Sequence, residues 1–417
     1  MTYQESIEYI KVLQNLGSKP GLSRITDLIK LLDNPHEELK IIHVTGTNGK
    51  GSVCAMIEAV LREAGYKTGR FSSPWIEKIN EYISVCGEPI PNDDFAQIIT
   101  YIKSFADEME NKPTEFEFIT AAAFEYFRQK KCDVAVIETG MGGLSDATNF
   151  IETPVLSVIT NVAHDHANFL GDTIEEIAEH KAGIVKENIP VLFGGSDNTA
   201  LKIIEKIAEK KKSEFFQTDE PDVISSGIWG SELEYRGIKV KIPLAGECQP
   251  QNAATAIDAA DILCSQGFKV SDEDIVNGLS KVKWKGRFEL LETEPPVIFD
   301  GGHNIHGIIY AVASIKKYFG DQKVVFLTGV MADKNYKRMA EILTPLADAV
   351  YTVTPDNRRA LDAEKYEAIF HEKGVKAIAC NTIDEGMKKA RNLSKEKNLP
   401  LIIIGSLYLY KDIKKKK

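Results

Sequence analysis

At 417 residues the chain exceeds what one hydrophobic core organises, so two domains are expected. Its hydrophobic (43%) and charged (27%) fractions are ordinary for a globular protein, and no apolar run approaches the ~20 residues of a membrane span. A net charge of −10 disfavours a broad nucleic-acid surface, and six scattered cysteines without a Cys-x-x-Cys pair argue against a zinc site and a disulfide framework. Residues 1–6 lack the basic-then-apolar order of a signal peptide, so a cytoplasmic protein is expected. A monomer is expected as well.

Ile7, Ile10, Leu13 and Leu16 recur at helical intervals, and a second helical stretch runs to Leu32. Together they form a helical preface. Arg24, within it, reads either as an anion contact or as an exposed structural arginine.

Ile41 to Val44 is an apolar run of strand character. It is followed by Thr45-Gly46-Thr47-Asn48-Gly49-Lys50-Gly51-Ser52 and then by helical spacing from Val53 to Leu61. The order strand, glycine turn, helix N-terminus suits a phosphate cradle, because unpaired N–H groups at the helix start favour anions. Gly46, Gly49 and Gly51 permit a tight bend, Lys50 supplies a point charge, and Thr47 or Ser52 could offer a hydroxyl to magnesium. The strict P-loop spacing is not met: Val44 stands where its first glycine belongs, and Gly51 separates Lys50 from Ser52. An ordinary glycine-rich turn is the alternative.

Next, Arg70-Phe71-Ser72-Ser73-Pro74 runs from a short strand into a polar loop, where Ser73 is either a magnesium ligand or a turn serine. A helix is expected over 95–109 and another over 119–127. Residues 132–138 form a nearly continuous apolar run of buried parallel-sheet type, which delivers Glu138 to the strand's C-terminal end beside Thr139-Gly140-Met141-Gly142-Gly143. A carboxylate there is a metal-ligand candidate.

A further strand over 154–161 is followed by His164, His166 and His180, three of the chain's eight histidines, and by an N-capped helix after Gly171-Asp172-Thr173. By composition Lys181 is a helix-surface lysine. Beyond the strand at 191–193 and the helix at 198–212, Asn252 is expected to be the N-cap of a helix over 253–263. The charged, proline-bearing break Glu292-Thr293-Glu294-Pro295-Pro296 places the domain boundary at 294/295, giving domains 1–294 and 295–417. In the second domain apolar runs alternate with helical stretches, and the first run ends in Asp300-Gly301-Gly302-His303-Asn304.

Assembled, these strings resemble the folylpolyglutamate synthase and dihydrofolate synthase family, within the Mur-ligase-like group. The resemblance spans nearly the whole chain and is carried by 45–52, Ser72-Ser73-Pro74, 138–143, Asp165-His166 with Leu170-Gly171, Lys181-Ala182-Gly183-Ile184, Gly286-Arg287 and 300–304. Gly51-Ser52 after the lysine is similar to the folate branch. Tyr82, Trp75 and Gly302 depart from the arginine, histidine and alanine common at those places.

The resemblance implies an α/β fold of two domains: an N-terminal P-loop-type, mostly parallel sheet with helices, and a smaller Rossmann-like C-terminal domain. It also implies an ATP-dependent amide ligase that joins L-glutamate to a folate or to dihydropteroate through an acyl phosphate. Thr47, Asn48, Gly49, Lys50, Gly51 and Ser52 would hold ATP, with Asn252, Arg287 and Asp300 contacting it from across the domain interface and His303 nearby. Ser73, Glu138 and His166 would bind magnesium, at two sites in all, and Lys181 would be carbamylated. Catalysis would rest on Lys50, Lys181 and His303. Thr114, Phe116 and Glu117 would form part of the pterin wall. A Mur-like ligase with another carboxylate substrate and a nucleotide-hydrolysing switch protein are the rival readings.

Overall fold

A computed structural model describes residues 1–15, 17, 19, 21–165 and 170–414. These fall into two compact units, the first made of Met1–Asp222, Tyr235–Val240 and Gln251–Val282, the second of Val223–Glu234, Lys241–Pro250 and Lys283–Lys417.

The first unit opens with α1 (Tyr3–Gln14) and α2 (Ser23–Leu31), the expected helical preface. β1 (Lys40–Thr45) feeds α3 (Lys50–Glu63), and β2 (Thr68–Phe71) feeds the short β3 (Ile83–Val85) and β4 (Glu88–Pro89). Then come α4 (Asn92–Ala106), α5 (Glu115–Gln129), β5 (Val134–Glu138), β6 (Leu156–Ile159), α6 (Ile174–Lys181), β7 (Val191–Phe193), α7 (Asn198–Lys210) and β8 (Phe215–Gln217).

The sheet order is β4-β3-β2-β5-β1-β6-β7-β8, parallel from β2 through β8. All five residues of β5 are buried, as a strand covered on both faces requires. On one face Ile41, Phe71, Ala135 and Ile137 pack with Ile10, Ile25, Ile99 and Phe124 from α1, α2, α4 and α5. The helix after the glycine loop, α3, packs on β1, β2 and β5.

From β1 the chain winds outward to β2, on the far side of β5, whereas from β5 it crosses β1 to reach β6. The winding therefore reverses around β1. In open α/β sheets this reversal splays the loops after the strands and opens a crevice at their C-terminal ends.

After the three-stranded sheet β11-β10-β9, formed by β9 (Asp222–Gly227), β10 (Gly230–Tyr235) and β11 (Ile238–Ile242), come α8 (Gln249–Ser265) and α9 (Asp272–Lys281). α8 starts ahead of the expected 253. Gln249 N donates to Gly246 O at 3.0 Å, and Pro250 fits a first turn, where its missing N–H costs nothing. Asn252 is thus a buried first-turn residue rather than the cap.

The second unit holds β12 (Glu289–Thr293), β13 (Pro296–Asp300), α10 (Ile305–Phe319), β14 (Val324–Thr328), α11 (Tyr336–Leu343), β15 (Ala347–Thr352), α12 (Ala363–Glu372), β16 (Ala377–Ala379), α13 (Ile383–Lys397), β17 (Leu401–Ile404) and α14 (Tyr410–Lys414). Its sheet order is β12-β13-β17-β14-β15-β16, parallel except for the β12–β13 pair.

That antiparallel pair moves the boundary. Glu289 faces Phe299 and Thr293 faces Pro296, so the proline-bearing stretch is the turn of a hairpin. The last change of unit falls at 282/283 instead of 294/295, because the hairpin's first strand belongs to the second sheet.

Candidate active site

Four strand ends, those of β1, β2, β5 and β6, meet around β1. After β1 the loop turns at Gly46 (φ +152°), where a Cβ would strike the Thr160 hydroxyl, and at Gly49 (φ +82°), where a Cβ would lie 2.6 Å from Asn252 Oδ1. Both positions require glycine on two counts, backbone conformation and space. Gly49 has no side chain to cap α3, so the first-turn N–H groups of Lys50, Gly51 and Ser52 form its electropositive end. Lys50 Nζ donates to Gly46 O at 3.0 Å, which keeps the ammonium curled over the loop.

The loop is pinned by the segment after β6. Thr47 N donates to Asn161 O (3.0 Å), Asn48 N donates to Asn161 Oδ1 (2.9 Å), and Thr160 Oγ1 donates to Asn48 O (2.6 Å). Thr47 Oγ1 donates to Ala163 O and accepts from Ala163 N, each at 3.0 Å. Its hydroxyl is thus engaged in holding the loop.

On the other side, Glu138, only 3% exposed, ends β5, and Ser73 N, just past β2, donates to Glu138 Oε2 at 3.2 Å. Two of the three expected metal ligands are therefore neighbours; the third, His166, lies outside the described residues. Thr139 Oγ1 donates to Thr45 Oγ1 at 3.0 Å, and Thr45 Oγ1 donates to Gly142 O, stitching the loop after β5 to the end of β1.

Among the described residues no three His, Cys, Asp or Glu side chains gather as a metal cage. The oxygen donors that are present suit Mg²⁺, which is held by one or two carboxylates together with phosphate and water rather than by an all-protein cage. The buried Ser72 hydroxyl, next to Ser73 and without a hydrogen-bond partner among the described residues, adds a further oxygen whose bonding capacity is unspent.

Lys181, read from composition as a surface residue, is 2% exposed. It ends α6 under the glycine turn after β5: a Cβ on Gly143 would lie 2.7 Å from both His180 O and Lys181 O. Burial, and then the charge of Lys50, pull its pKa down to about 7, against the opposing pull of Asp165 and Asp146. A large share of the amine is therefore neutral, and hence nucleophilic, near neutral pH.

Asp146 and His43 carry no signal in the sequence, yet they fix this turn. The Asp146 carboxylate accepts from Met141 N (2.7 Å), Thr148 N (3.0 Å) and Thr148 Oγ1 (2.7 Å), and the same Thr148 oxygen lies 2.7 Å from His43 Nε2. With the threonine proton committed to Asp146, His43 Nε2 is the donor. Burial holds this histidine neutral, its pKa pulled down to about 3.

Thr114, Phe116 and Glu117 open α5. Thr114 is its N-cap, and the Glu117 carboxylate returns to Thr114 N at 2.7 Å, a capping box. The same carboxylate pairs with Arg24 through Nε (3.0 Å) and the terminal nitrogen (3.0 Å). Arg24 is thus partly buried and paired, and it neutralises Glu117. Phe116 packs at 5.6 Å from Phe71 and so close to Gly140 that a Cβ there would lie 2.6 Å from its ring.

In the second unit Asp300 ends β13 and accepts from Phe288 N (2.9 Å) and Gly302 N (2.8 Å). Burial raises its pKa, while the Arg287 guanidinium and those two N–H groups oppose the rise. His303 Nδ1 lies 2.9 Å from Gly301 O, a donor's position, which leaves Nε2 as the nitrogen that can accept. Asn304 caps α10 by accepting from Gly307 N at 2.7 Å.

Residues 44–260 match the Mur ligase middle domain and residues 286–407 the Mur ligase glutamate ligase domain. A dihydrofolate synthase/folylpolyglutamate synthase of Bacillus subtilis is 36% identical over 99% of both chains. A folylpolyglutamate synthase of Mycobacterium tuberculosis, solved with ADP and AMPPCP, superposes with a TM-score of 0.90 at 27% identity, covering 99% of this chain and 98% of that one. A solved FPGS–AMPPCP–folate complex superposes at 0.87 with 34% identity and the same coverage. With matches over both units and essentially the full length, the chain belongs to the folylpolyglutamate synthase/dihydrofolate synthase family of Mur-type ligases.

Proposed function

We propose that this protein is an ATP-dependent carboxylate–amine ligase that adds L-glutamate to a folate, to dihydropteroate, or to both. The observation that carries the reading is the convergence at one sheet edge of the Gly46–Ser52 loop, the Ser73–Glu138 pair and the buried Lys181. In the reaction a substrate carboxylate oxygen attacks the γ-phosphorus, the bond to the bridging oxygen breaks and ADP leaves. The glutamate amine then attacks the acyl carbon, loses a proton and expels phosphate.

Phosphoryl transfer asks a protein mainly for positioning and charge neutralisation. The N–H groups opening α3 and the Lys50 ammonium would face the phosphates, with Asn252 beside Gly49 fixing the loop. Arg287 and Asp300, with His303 nearby, are the nucleotide contacts proposed in the second unit. Glu138 and Ser73 would hold Mg²⁺, with His166 as a further ligand and the carbamylated Lys181 near a second ion. Bound magnesium neutralises charge on the transferring phosphoryl group.

Lys181 is proposed as a carbamate. Its neutral amine adds to the carbon of CO₂ and loses a proton, which leaves an anionic carbamate where a lysine would otherwise carry a positive charge. Phe116, over Gly140, and Thr114 are proposed for the pterin wall, with Glu117 supporting them through its cap and its pair with Arg24. A cytoplasmic monomer is part of the same reading.

The test is ATP turnover measured with dihydropteroate and with a reduced folate monoglutamate, each with and without L-glutamate, and products identified by mass. ADP formation that needs both an acid and glutamate, with a mass gain of one glutamyl residue, is expected. ATP consumption indifferent to either co-substrate would reject ligation, and the ratio of the two turnovers says which acid the site prefers.

A further inference from the structure

The turn that presents Arg287 is gripped from three directions. Phe288 N is held by Asp300, Gly301 N donates to Gly286 O at 2.9 Å, and Gly286 N donates to Glu289 Oε2 at 2.8 Å. Gly301 is flanked so tightly that a Cβ would strike Leu407 on one side and lie 2.6 Å from the Arg287 guanidinium on the other. Gly301, lacking a side chain, thus leaves the space that the Arg287 guanidinium occupies, and the guanidinium is carried by the 286–289 turn.

The last described helix, α14, holds the fourth corner. Tyr410, fully buried, packs edge-to-face on Phe299 at 4.9 Å, one residue before Asp300, and points its hydroxyl at Glu289, 2.8 Å from each carboxylate oxygen. Lys414 Nζ adds an ion pair to Glu289 Oε1 at 3.1 Å and lies 5.2 Å over the Tyr410 ring. Glu289 is thus a junction: one oxygen holds the main chain of the Gly286–Arg287 turn, while both oxygens are held by a helix more than a hundred residues further on.

We propose that Tyr410 is a positioning residue for nucleotide binding, acting through Glu289 to fix the turn that presents Arg287. The proposal rests on the reading that Arg287 contacts ATP. Removing the phenolic hydroxyl leaves the ring packed against Phe299 and the core intact, but lets the Glu289 carboxylate, and with it Gly286, shift.

The test compares Tyr410→Phe, Arg287→Ala and the double variant in the full chain, reading KM for ATP, KM for the folate acid and the thermal midpoint. Tyr410→Phe is expected to raise the KM for ATP about fivefold, the size of one lost hydrogen bond, while the KM for the acid stays within twofold. The double variant is expected to be no worse than Arg287→Ala alone, because the hydroxyl acts only through the arginine.

An unchanged KM for ATP in Tyr410→Phe, with Arg287→Ala impaired, overturns the positioning role and leaves the nucleotide reading standing. Additive losses in the double variant also overturn it. An Arg287→Ala protein with native KM for ATP removes the nucleotide reading itself, and the proposal falls with it. If Tyr410→Phe does not fold, Glu289→Gln, which keeps the shape and weakens the junction, is read by the same criteria.

Discussion

Gly49 and Asn252 are more than two hundred residues apart in sequence, yet a single methyl group on Gly49 would bring its carbon within 2.6 Å of Asn252 Oδ1. The glycine loop is therefore moulded against the first turn of α8 as closely as it is bent on itself. Gly49→Ala would meet that oxygen and also carry a left-handed φ, a backbone cost of about 1–2 kcal/mol. We expect a folded protein with a lower thermal midpoint and at least tenfold weaker ATP binding by calorimetry. Native affinity would show that the loop is not built to this tolerance.

Lys50 lies on its own loop carbonyls and supports no packed core, so Lys50→Ala should unfold at nearly the native temperature. Its turnover should fall by about 10² or more, the range seen when a preorganised charge is removed from a transition state. Near-native turnover in the folded variant would refute the phosphate role.

Lys181 separates stability from activity. In CO₂-depleted buffer its folded pKa near 7 lies below the ordinary lysine value, so between pH 7 and about 10.5 the unfolded chain binds the extra proton. Stability should rise with pH across that window, and the penalty is complete below pH 7. Lys181→Met removes the buried charge and should raise the thermal midpoint at pH 7 while abolishing ligation, with no rescue by bicarbonate. A destabilised yet active Lys181→Met protein would contradict both halves.

Glu138→Gln keeps the acceptor for Ser73 N but halves the carboxylate's capacity and removes its charge. The Mg²⁺ concentration for half-maximal activity should rise at least tenfold, while the KM for the folate acid changes little. An unaltered magnesium requirement would move the metal elsewhere.

His43 gives an acid limb. Held neutral with a pKa near 3, it resists protonation in the fold, whereas the unfolded chain takes the proton below about 6.5. Stability is therefore lost as pH falls through this window, about 1.5 kcal/mol between pH 6.5 and 5 from this group alone. Denaturant unfolding at both pH values, compared with His43→Gln, should show a shallower loss in the variant.

The strand ends were legible because an apolar run that stops at a charged or glycine residue is what a buried parallel strand requires and little else produces. β1, β5, β6 and β13 all lie where those runs predict, and Ser73 lies beside Glu138. What stayed hidden depends on partners far away in sequence. Lys181 occupies a helix position that suits a surface residue, and only the Gly143 turn above it makes it buried. Asn252 has a cap's composition, but the hydrogen bond from Gln249 to Gly246 starts the helix earlier. The 294/295 break has a linker's residues, yet strand pairing on either side makes it a hairpin turn.

The pinning of Asn48 by Asn161 also imposes a schedule on the nascent chain. The acceptor follows the donor by 113 residues, and β1 pairs with β5 and β6 rather than with any strand made before them. At about 5–20 residues per second, the first strand and its glycine loop spend roughly 6–23 s outside the ribosome with their eventual partners still unmade. The glycine loop proposed to hold the phosphates is thus synthesised early and completed late, and during that interval its apolar strand waits unpaired.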